Sequence, residues 1–593
     1  MSRRMERESQ SPLLMFDFVD QQGCSQRRVF SQPVNVFSVH SISEVCSTLR
    51  KIQTLVDQGY YAAGYISYEA ASAFDSAYKV GSQHQMPLLW FGIFNEPMTD
   101  ADVAFDNEYT MSPWESDTTF EQYSDSIEEI KQAIARGDTY QVNYTMRLRS
   151  HFEGDDIGFY HRLKRAQETD YSAYLHMGRY RILSISPELL FEKNGNIITT
   201  RPMKGTVQRG RWLEEDQGLA SWLASSEKNR AENVMIVDLL RNDISKIEGV
   251  STVEVPLLFE VEQYKTVYQM TSTVTATMEE STTVIDVLKA LFPSASITGA
   301  PKISTMGIIA QLEQHPRGIY CGTVGIMEPN GHAMFNVAIR TCVIDGQTGL
   351  AEYGVGGGVT WDSTTDGEYV EALTKAELLG KTDTPFDLLE TLRLDHGEYT
   401  LFERHMARLA TTAQFFNIGL DLEMVVDRLK EHARHYPSMK RKVRLLVSQS
   451  GEVRVESGVL HELTGFAQKV AVARNPILKN NLFLYHKTTR REMYQYDQHE
   501  YPGVFDVVLW NEDSEVTECT NGNIVVELDG RMLTPARSCG LLAGTFRAQL
   551  LDEGILEEIV LHRSDLERVT KMWMINSVRG WVSIELIDES IFF

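Results

Sequence analysis

A lysine stands inside Pro202-Met203-Lys204-Gly205-Thr206, and a glutamate lies sixteen residues before it in Ser186-Pro187-Glu188. The pair combines a possible nucleophile with a possible proton donor. A free lysine has a pKa near 10.4, so at pH 7.4 about one amine in a thousand is neutral. Attack by that amine starts about 4 kcal/mol behind unless burial lowers its pKa. A glutamate that donates a proton has the mirror problem and must stay protonated well above about 4.3. A closed pocket shifts both groups the required way, provided they are not a direct ion pair. Read without context, the same pentapeptide is a surface turn.

Carboxylates stand downstream. Glu232 lies in a segment with helical pattern. Glu368 and Glu371 lie three residues apart in Asp366-Gly-Glu-Tyr-Val-Glu-Ala-Leu-Thr-Lys375, on one helix face. A hard cation such as Mg²⁺ takes few protein carboxylates, several waters and a substrate oxygen. One glutamate from each of two helices suits it. The competing reading is a solvated face with Glu371 paired to Lys375.

The elements that must hold these groups follow from periodicity. Residues 120–136 read as an amphipathic helix ending at Gly137-Asp138. Strands are expected at 140–148, 181–185, 188–192 and 196–200, and a helix at 226–247. Residues 317–327 and 334–344 read as paired strands around Pro329-Asn330-Gly331. Gly354-Val355-Gly356-Gly357-Gly358 reads as a glycine-rich loop, followed by a helix from Asp366 to Leu379. The one joint is the polar Gly380-Lys-Thr-Asp-Thr-Pro385. After it come a strand at Phe386–Thr391, a hairpin turn at His396-Gly397 and a helix from Leu401 to Phe416. This divides the chain into an N-terminal variable part, 1–119, a catalytic domain, 120–383, and a second module, 384–593.

The 593 residues carry a net charge of −25, which excludes the basic stripe of a nucleic-acid binder and disfavours an anionic membrane surface. No apolar run is long enough to span a bilayer. The six cysteines show no metal-ligand spacing, and scattered reduced thiols suggest the cytoplasm.

Residues 120–380 resemble the chorismate-utilising family, which includes anthranilate, aminodeoxychorismate and isochorismate synthases. The ordered blocks are Gly137-Asp-Thr-Tyr-Gln-Val-Asn143, Ser186-Pro-Glu188, Pro202-Met-Lys-Gly-Thr206, Asp238-Leu-Leu-Arg-Asn-Asp243, Gly299-Ala-Pro-Lys302, Gly318-Ile-Tyr-Cys-Gly322, Ala338-Ile-Arg-Thr341 and Gly356-Gly-Gly-Val-Thr-Trp-Asp-Ser363. The resemblance implies a layered β-sandwich with helices. It implies Glu232 and Glu371 as Mg²⁺ ligands with Glu368 close by, and Glu188 as general acid. It also implies that Tyr320, Arg340 and the N–H groups of Gly356, Gly357 and Gly358 bind the enolpyruvyl carboxylate. At the position of Lys204, anthranilate and isochorismate synthases carry alanine, whereas synthases of 4-amino-4-deoxychorismate carry lysine. Gln269 departs from the family, standing where many relatives have histidine.

Residues 386–593 resemble the fold-type IV pyridoxal-phosphate family of D-amino acid aminotransferases, branched-chain aminotransferases and aminodeoxychorismate lyases. The matching blocks are Leu401–Leu409, Tyr485-His-Lys-Thr-Thr489, Val516–Ile524, Ala543-Gly-Thr-Phe-Arg547 and Asn576-Ser-Val-Arg-Gly580. The resemblance implies a two-subdomain module in which Lys487 carries pyridoxal phosphate covalently and shuttles protons. Glu518 pairs with the pyridine nitrogen. Arg408, the amides of Thr545 and Phe546, and Ser577 hold the phosphate. Phe546 departs from the usual threonine. Without the family, Lys487 reads as a surface lysine and Glu518 as a turn carboxylate.

The two modules together imply an α/β and α+β chain that aminates chorismate to 4-amino-4-deoxychorismate and then eliminates pyruvate to give 4-aminobenzoate, a folate precursor. The alternative is the same synthase fused to a branched-chain or D-amino acid aminotransferase. No cysteine sits in a Gly-x-Cys-x-Gly-x-Gln setting, so ammonia is expected free or from a separate glutamine amidotransferase subunit. A homodimer through the second module is a further expectation.

Overall fold

The computed structural model describes residues 12–20, 23–81, 85–98, 103, 105, 107–380, 385–463, 465–494, 501 and 503–587. It divides into two compact units. The first comprises residues 1–208 and 220–383, the second 209–219 and 384–593.

The first unit is built on two antiparallel sheets, each of ten strands among the described residues. Strict alternation decides which side chains fill the space between them. Leu14, Phe16 and Phe18 of strand Leu13–Val19 meet Ala63 and Tyr65 of strand Tyr61–Ile66 in the inter-sheet core. Their neighbours point outward, Met15 to one helical layer and Ala62 and Ile66 to the other. Helices Phe120–Ala135, Asp156–Gln167 and Thr365–Ala376 cover one sheet, and Ile42–Asp57, Glu227–Ser245 and Val284–Leu291 the other. Helix Phe120–Ala135 begins with a reciprocal capping box between Thr119 and Gln122. It buries Tyr123, Ile127 and Ile130 at helical spacing.

Two expectations change. Thr323–Met327 and Ala333–Val337 do pair around the turn, but the chain does not continue as one hairpin. Arg340 takes a left-handed φ of 50°, and Thr341–Asp345 crosses into the other sheet beside Tyr180–Ser186. The break places Arg340 at the passage between sheets. The glycine-rich stretch is not a loop either. Leu350–Val359 is a continuous strand whose Gly356 and Gly358 stand opposite Thr145 and Asn143. Its pairing on the other edge stops at Tyr353, so among the described residues Gly354–Gly358 has a strand on one side only.

One guanidinium ties the parts behind this strand. Arg317 is buried and binds Glu313 at 2.7 and 2.9 Å. It also donates to the carbonyls of Ile297 and Asn143 and lies over the Tyr68 ring. Glu313 in turn accepts from the Thr145 amide, and Glu69 accepts from the amides of Arg317 and Gly318. Burial pushes the Glu69 carboxyl up to about 7.

The second unit holds a four-stranded antiparallel sheet, packed against helices Phe402–Phe415 and Leu422–His435, and a mixed sheet of eight strands. Helix Thr545–Asp552 packs on the strand Lys571–Asn576 of the larger sheet. Among the described residues no helix is long and apolar enough to cross a membrane.

Arg317→Met leaves the Glu313 carboxylate buried without its partner. The expected cost is about 3–5 kcal/mol in urea unfolding, against under about 1 kcal/mol for Arg136→Ala at its exposed pair with Asp138.

Candidate active sites

In the first unit the glycines of strand Leu350–Val359 let side chains from distant elements close on the backbone. A Cβ on Gly358 would fall 2.7 Å from Lys204 Nζ and 2.4 Å from Gln141 Nε2. One on Gly357 would meet Glu368 Oε2 at 2.7 Å and Glu371 Oε1 at 3.7 Å, and one on Gly354 would strike the Tyr320 ring at 2.3 Å. Lys204, Glu368, Glu371 and Tyr320 therefore all reach the same backbone ribbon. Arg340 lies near Tyr353 at the start of that ribbon, and among the described residues nothing is hydrogen-bonded to its guanidinium.

Lys204 sits on the strand Met203–Gln208, where the register with Val267–Met278 shifts between Met203 and Thr206. The departure at Gln269 has a structural use. Its amide donates to the Gly205 carbonyl at 3.0 Å and its oxygen accepts from Thr206 Oγ1 at 2.8 Å, fixing the irregular step beside Lys204. Part of Lys204 stays open to solvent, yet protein surrounds its amine. Burial lowers its pKa, opposed by the charges of Glu232, Glu371 and Glu368. Among the described residues no carboxylate forms an ion pair with it.

Glu188 is 4% exposed and accepts a 2.5 Å hydrogen bond from Ser296 Oγ. Burial pushes its carboxyl up to about 7, although Ser296 and the Lys204 charge pull the other way. Lys204 and Glu188 thus move in opposite directions for the same reason, loss of water.

The carboxylates are held differently from one another. Glu368 accepts from Ser363 Oγ at 2.6 Å, and burial raises its pKa. Glu371 pairs with Lys375 at 2.9 Å, the solvated-face alternative in part, while Lys375 also donates to the Gly356 carbonyl. Glu232 is half-buried on helix Glu227–Ser245 and supplies the largest charge acting on Lys204. Among the described residues no three acidic, histidine or cysteine side chains enclose a metal by themselves. This donor set of separate carboxylates fits a hard, mostly hydrated cation and no closed protein cage. Gln141 escaped the sequence reading. Both its amide atoms are buried without a hydrogen-bond partner beside Lys204. Only its place in the Gly137–Asn143 block pointed to it.

In the second unit Lys487 follows a short 3₁₀ turn, and its carbonyl accepts from the Leu389 amide at 2.9 Å. Burial, with Arg408 and Arg491 nearby, lowers its amine to about 7. Glu518 is raised to about 7 by burial. It accepts from Tyr494 Oη at 2.9 Å, the Leu542 amide at 3.1 Å and Asn523 Nδ2 at 3.2 Å. A buried carboxyl so placed favours a cationic N–H partner, as a pyridinium would be.

Arg408 makes a two-point contact with Glu390 at 2.7 and 2.8 Å and donates to the Ala543 carbonyl at 3.3 Å. Against its own burial, Glu390 is held down at about 2 by Arg408 and His405. His405 reaches on to Thr545 Oγ1 at 3.3 Å. Arg408 therefore stands beside the N-terminus of helix Thr545–Asp552, where unpaired amides favour an anion. The Phe546 ring packs with Val525, Trp573 and Ile575, so only its backbone serves that end. Ser577 Oγ lies 3.4 Å from the Thr391 carbonyl, on the strand that carries Glu390. A neutral-range lysine, a buried carboxyl and an arginine beside a helix N-terminus fit pyridoxal phosphate. Glu390, His405, Tyr494 and Asn523 were not identified from the sequence, because polar residues in strands and helices carry no mark of their partners.

Two family models match the chain. Residues 103–380 match the chorismate binding enzyme family, and residues 387–587 match amino-transferase class IV. Aminodeoxychorismate synthase component 1 of Escherichia coli is 39% identical over 271 residues, covering 46% of this chain and 59% of that protein. Anthranilate synthase component 1 of Methanothermobacter marburgensis is 34% identical over 343 residues, covering 54% of this chain and 74% of that one. The chain thus spans 54–59% of the length of three similar aminodeoxychorismate synthase components, less than two thirds. The solved anthranilate synthase component I from Streptococcus pneumoniae superposes with a TM-score of 0.50 at 24% identity, over 63% of this chain and 91% of that one, a likeness of fold. The chain belongs to the chorismate-binding enzyme family and carries a second domain of the class IV aminotransferase family.

Proposed function

We propose that the chain makes 4-aminobenzoate from chorismate in two steps, one in each unit. The observation that carries this reading is the Lys204 amine, desolvated and, among the described residues, free of an ion pair, near enough to the buried, protonatable Glu188 for its charge to act on that carboxyl. Lys204 attacks C2 of the ring as the 4-hydroxyl leaves with a proton from Glu188. Ammonia then bonds to C4, and the lysine departs from C2. Two displacements leave nitrogen para to the ring carboxyl group. Arg340, Tyr320 and the free edge of Gly356, Gly357 and Gly358 bind the enolpyruvyl carboxylate by charge and backbone N–H donation. Glu232 and Glu371, with Glu368 beside them, would hold Mg²⁺, which neutralises the ring carboxylate when bound.

In the second unit Lys487, Glu518, Arg408, Ser577 and the amides of Thr545 and Phe546 would hold pyridoxal phosphate, which supplies an electron sink when bound. Lys487, near neutral range, takes and returns the proton that elimination of pyruvate requires. Glu518 keeps a proton on the ring nitrogen. The "component 1" of the relatives' names and the missing glutaminase motif support ammonia delivery by a separate glutamine amidotransferase. The reading places the enzyme in the cytoplasm, as a homodimer through its second unit.

Incubation with chorismate, Mg²⁺, pyridoxal phosphate and ammonium is expected to yield 4-aminobenzoate and pyruvate. Lys204→Ala should cut 4-aminobenzoate formation by at least about 10³-fold, as expected when a covalent nucleophile is removed. Unchanged output would refute its role. Lys487→Ala should accumulate the aminated intermediate, and steady 4-aminobenzoate release from that variant would refute the second assignment. Because Glu188 acts in its protonated form, kcat/KM for chorismate, at fixed free ammonia, should fall as pH rises through about 7. Glu188→Gln should lose that limb together with about 10²–10⁴-fold in rate. A limb that persists in the variant assigns the titration elsewhere.

A further inference from the structure

Residues 209–219 lie within the span that matches the chorismate-binding family, yet they fold as part of the second unit. They form a clasp with its own internal order. Asp216, almost fully buried, binds the Arg209 guanidinium at 2.7 and 2.8 Å and accepts from the Gly210 amide at 2.7 Å. Glu215 does the same for Arg211, by its guanidinium at 2.8 Å and its amide at 2.6 Å.

The clasp grips the segment that ends in Lys487. Arg209 donates to the Phe415 carbonyl at 2.9 Å and lies over the Phe415 ring. Arg211 Nη1 donates to Tyr485 Oη at 3.2 Å and to the Ser538 carbonyl at 3.1 Å. Trp212 packs against the Tyr485 ring at 5.3 Å, with Arg537 over its own face and Glu214 paired to Arg537. Most directly, His486 Nε2 donates to the Arg211 carbonyl at 3.0 Å. That ring is buried and packs at a tilt on Phe415 with centroids 4.2 Å apart, and burial lowers its pKa to about 3, so it serves as a neutral donor. Tyr485 and His486, the two residues before Lys487, are therefore each held by the clasp.

We propose that the Arg209–Leu219 clasp, acting through Trp212 and His486, is a positioning element for Lys487 and so for the cofactor, contributed by sequence of the first family. This rests on the reading of Lys487 as the cofactor lysine. His486 is the sharpest point of test, because one hydrogen bond can be removed while its ring is kept. His486→Phe keeps an aromatic ring packed on Phe415 and removes the donor to the Arg211 carbonyl. His486→Gln restores a donor.

The full-length chain and its variants are titrated with pyridoxal phosphate by visible absorbance, and the pH midpoint of the bound-cofactor band is measured. His486→Phe should weaken cofactor affinity by about tenfold or more, the effect of one unpaired buried polar group, and Trp212→Ala, which strips the Tyr485 ring of its neighbour, should weaken it in the same direction. They should also move the midpoint by about half a pH unit or more, a change in the lysine's surroundings. His486→Gln and Trp212→Phe should return both values to near wild type. Ammonia-dependent consumption of chorismate should be unchanged throughout, which reports that the first unit is folded. Wild-type affinity and midpoint in His486→Phe would overturn the clasp. So would equal losses in His486→Phe and His486→Gln, since a lost donor would then not be the cause. If Trp212→Ala fails to fold, the two His486 variants decide alone. A wild-type chain that gains no band at any cofactor concentration sinks the assignment of Lys487 itself, a result distinct from failure of the clasp.

Discussion

The first unit depends on a strand that has no room for side chains. Between Gly354 and Gly358 the ribbon is approached so closely that a methyl group at any of its four glycines would strike something. The obstacles are the Tyr320 ring, the Tyr144 carbonyl, Glu368 and then Gln141 with the Lys204 amine. Steric absence here brings an amine, carboxylates and an aromatic ring around one backbone. Pairing with Gln141–Gly154 on one edge keeps the ribbon extended, while the other edge stays available. The glycines give up side-chain packing and backbone order in exchange for this approach.

Both units then apply the same physics to a lysine. Each places an amine among protein atoms, so that the charged form loses hydration. Each surrounds it with carboxylates that partly restore that charge without forming a salt bridge to it. Glu188 and Glu518 are themselves driven up by burial to about 7. Burial thus moves each amine down and each carboxyl up, toward one another, a shift that isolated side chains in water do not undergo.

Much of this was legible in the chain. The helix at Phe120–Ala135 carries its cap and its apolar spacing in the sequence, and Lys204, Glu188 and Lys487 stand in blocks that mark them. Other features left no such signal. The break at Arg340 is a single left-handed residue inside a run that reads as continuous strand, and it resolves only when two sheets compete for its ends. Gly354–Gly358 reads as a loop because glycine is disfavoured in strands, and close neighbours from distant sequence reversed that preference. Gln141 and Glu390 are ordinary polar residues until the fold shows what surrounds them. The same holds for Arg209–Leu219, whose partners lie about two hundred residues or more further on.

That last segment bears on how such a chain can be divided. A cut at the polar joint near residue 383 follows the sequence families but not the packing, since eleven residues of the second unit would stay on the wrong side. Gene fission or domain exchange at that joint would leave Tyr485 and His486 facing solvent where a neighbour had been. A designer splitting this chain would have to carry that cover across with the second unit.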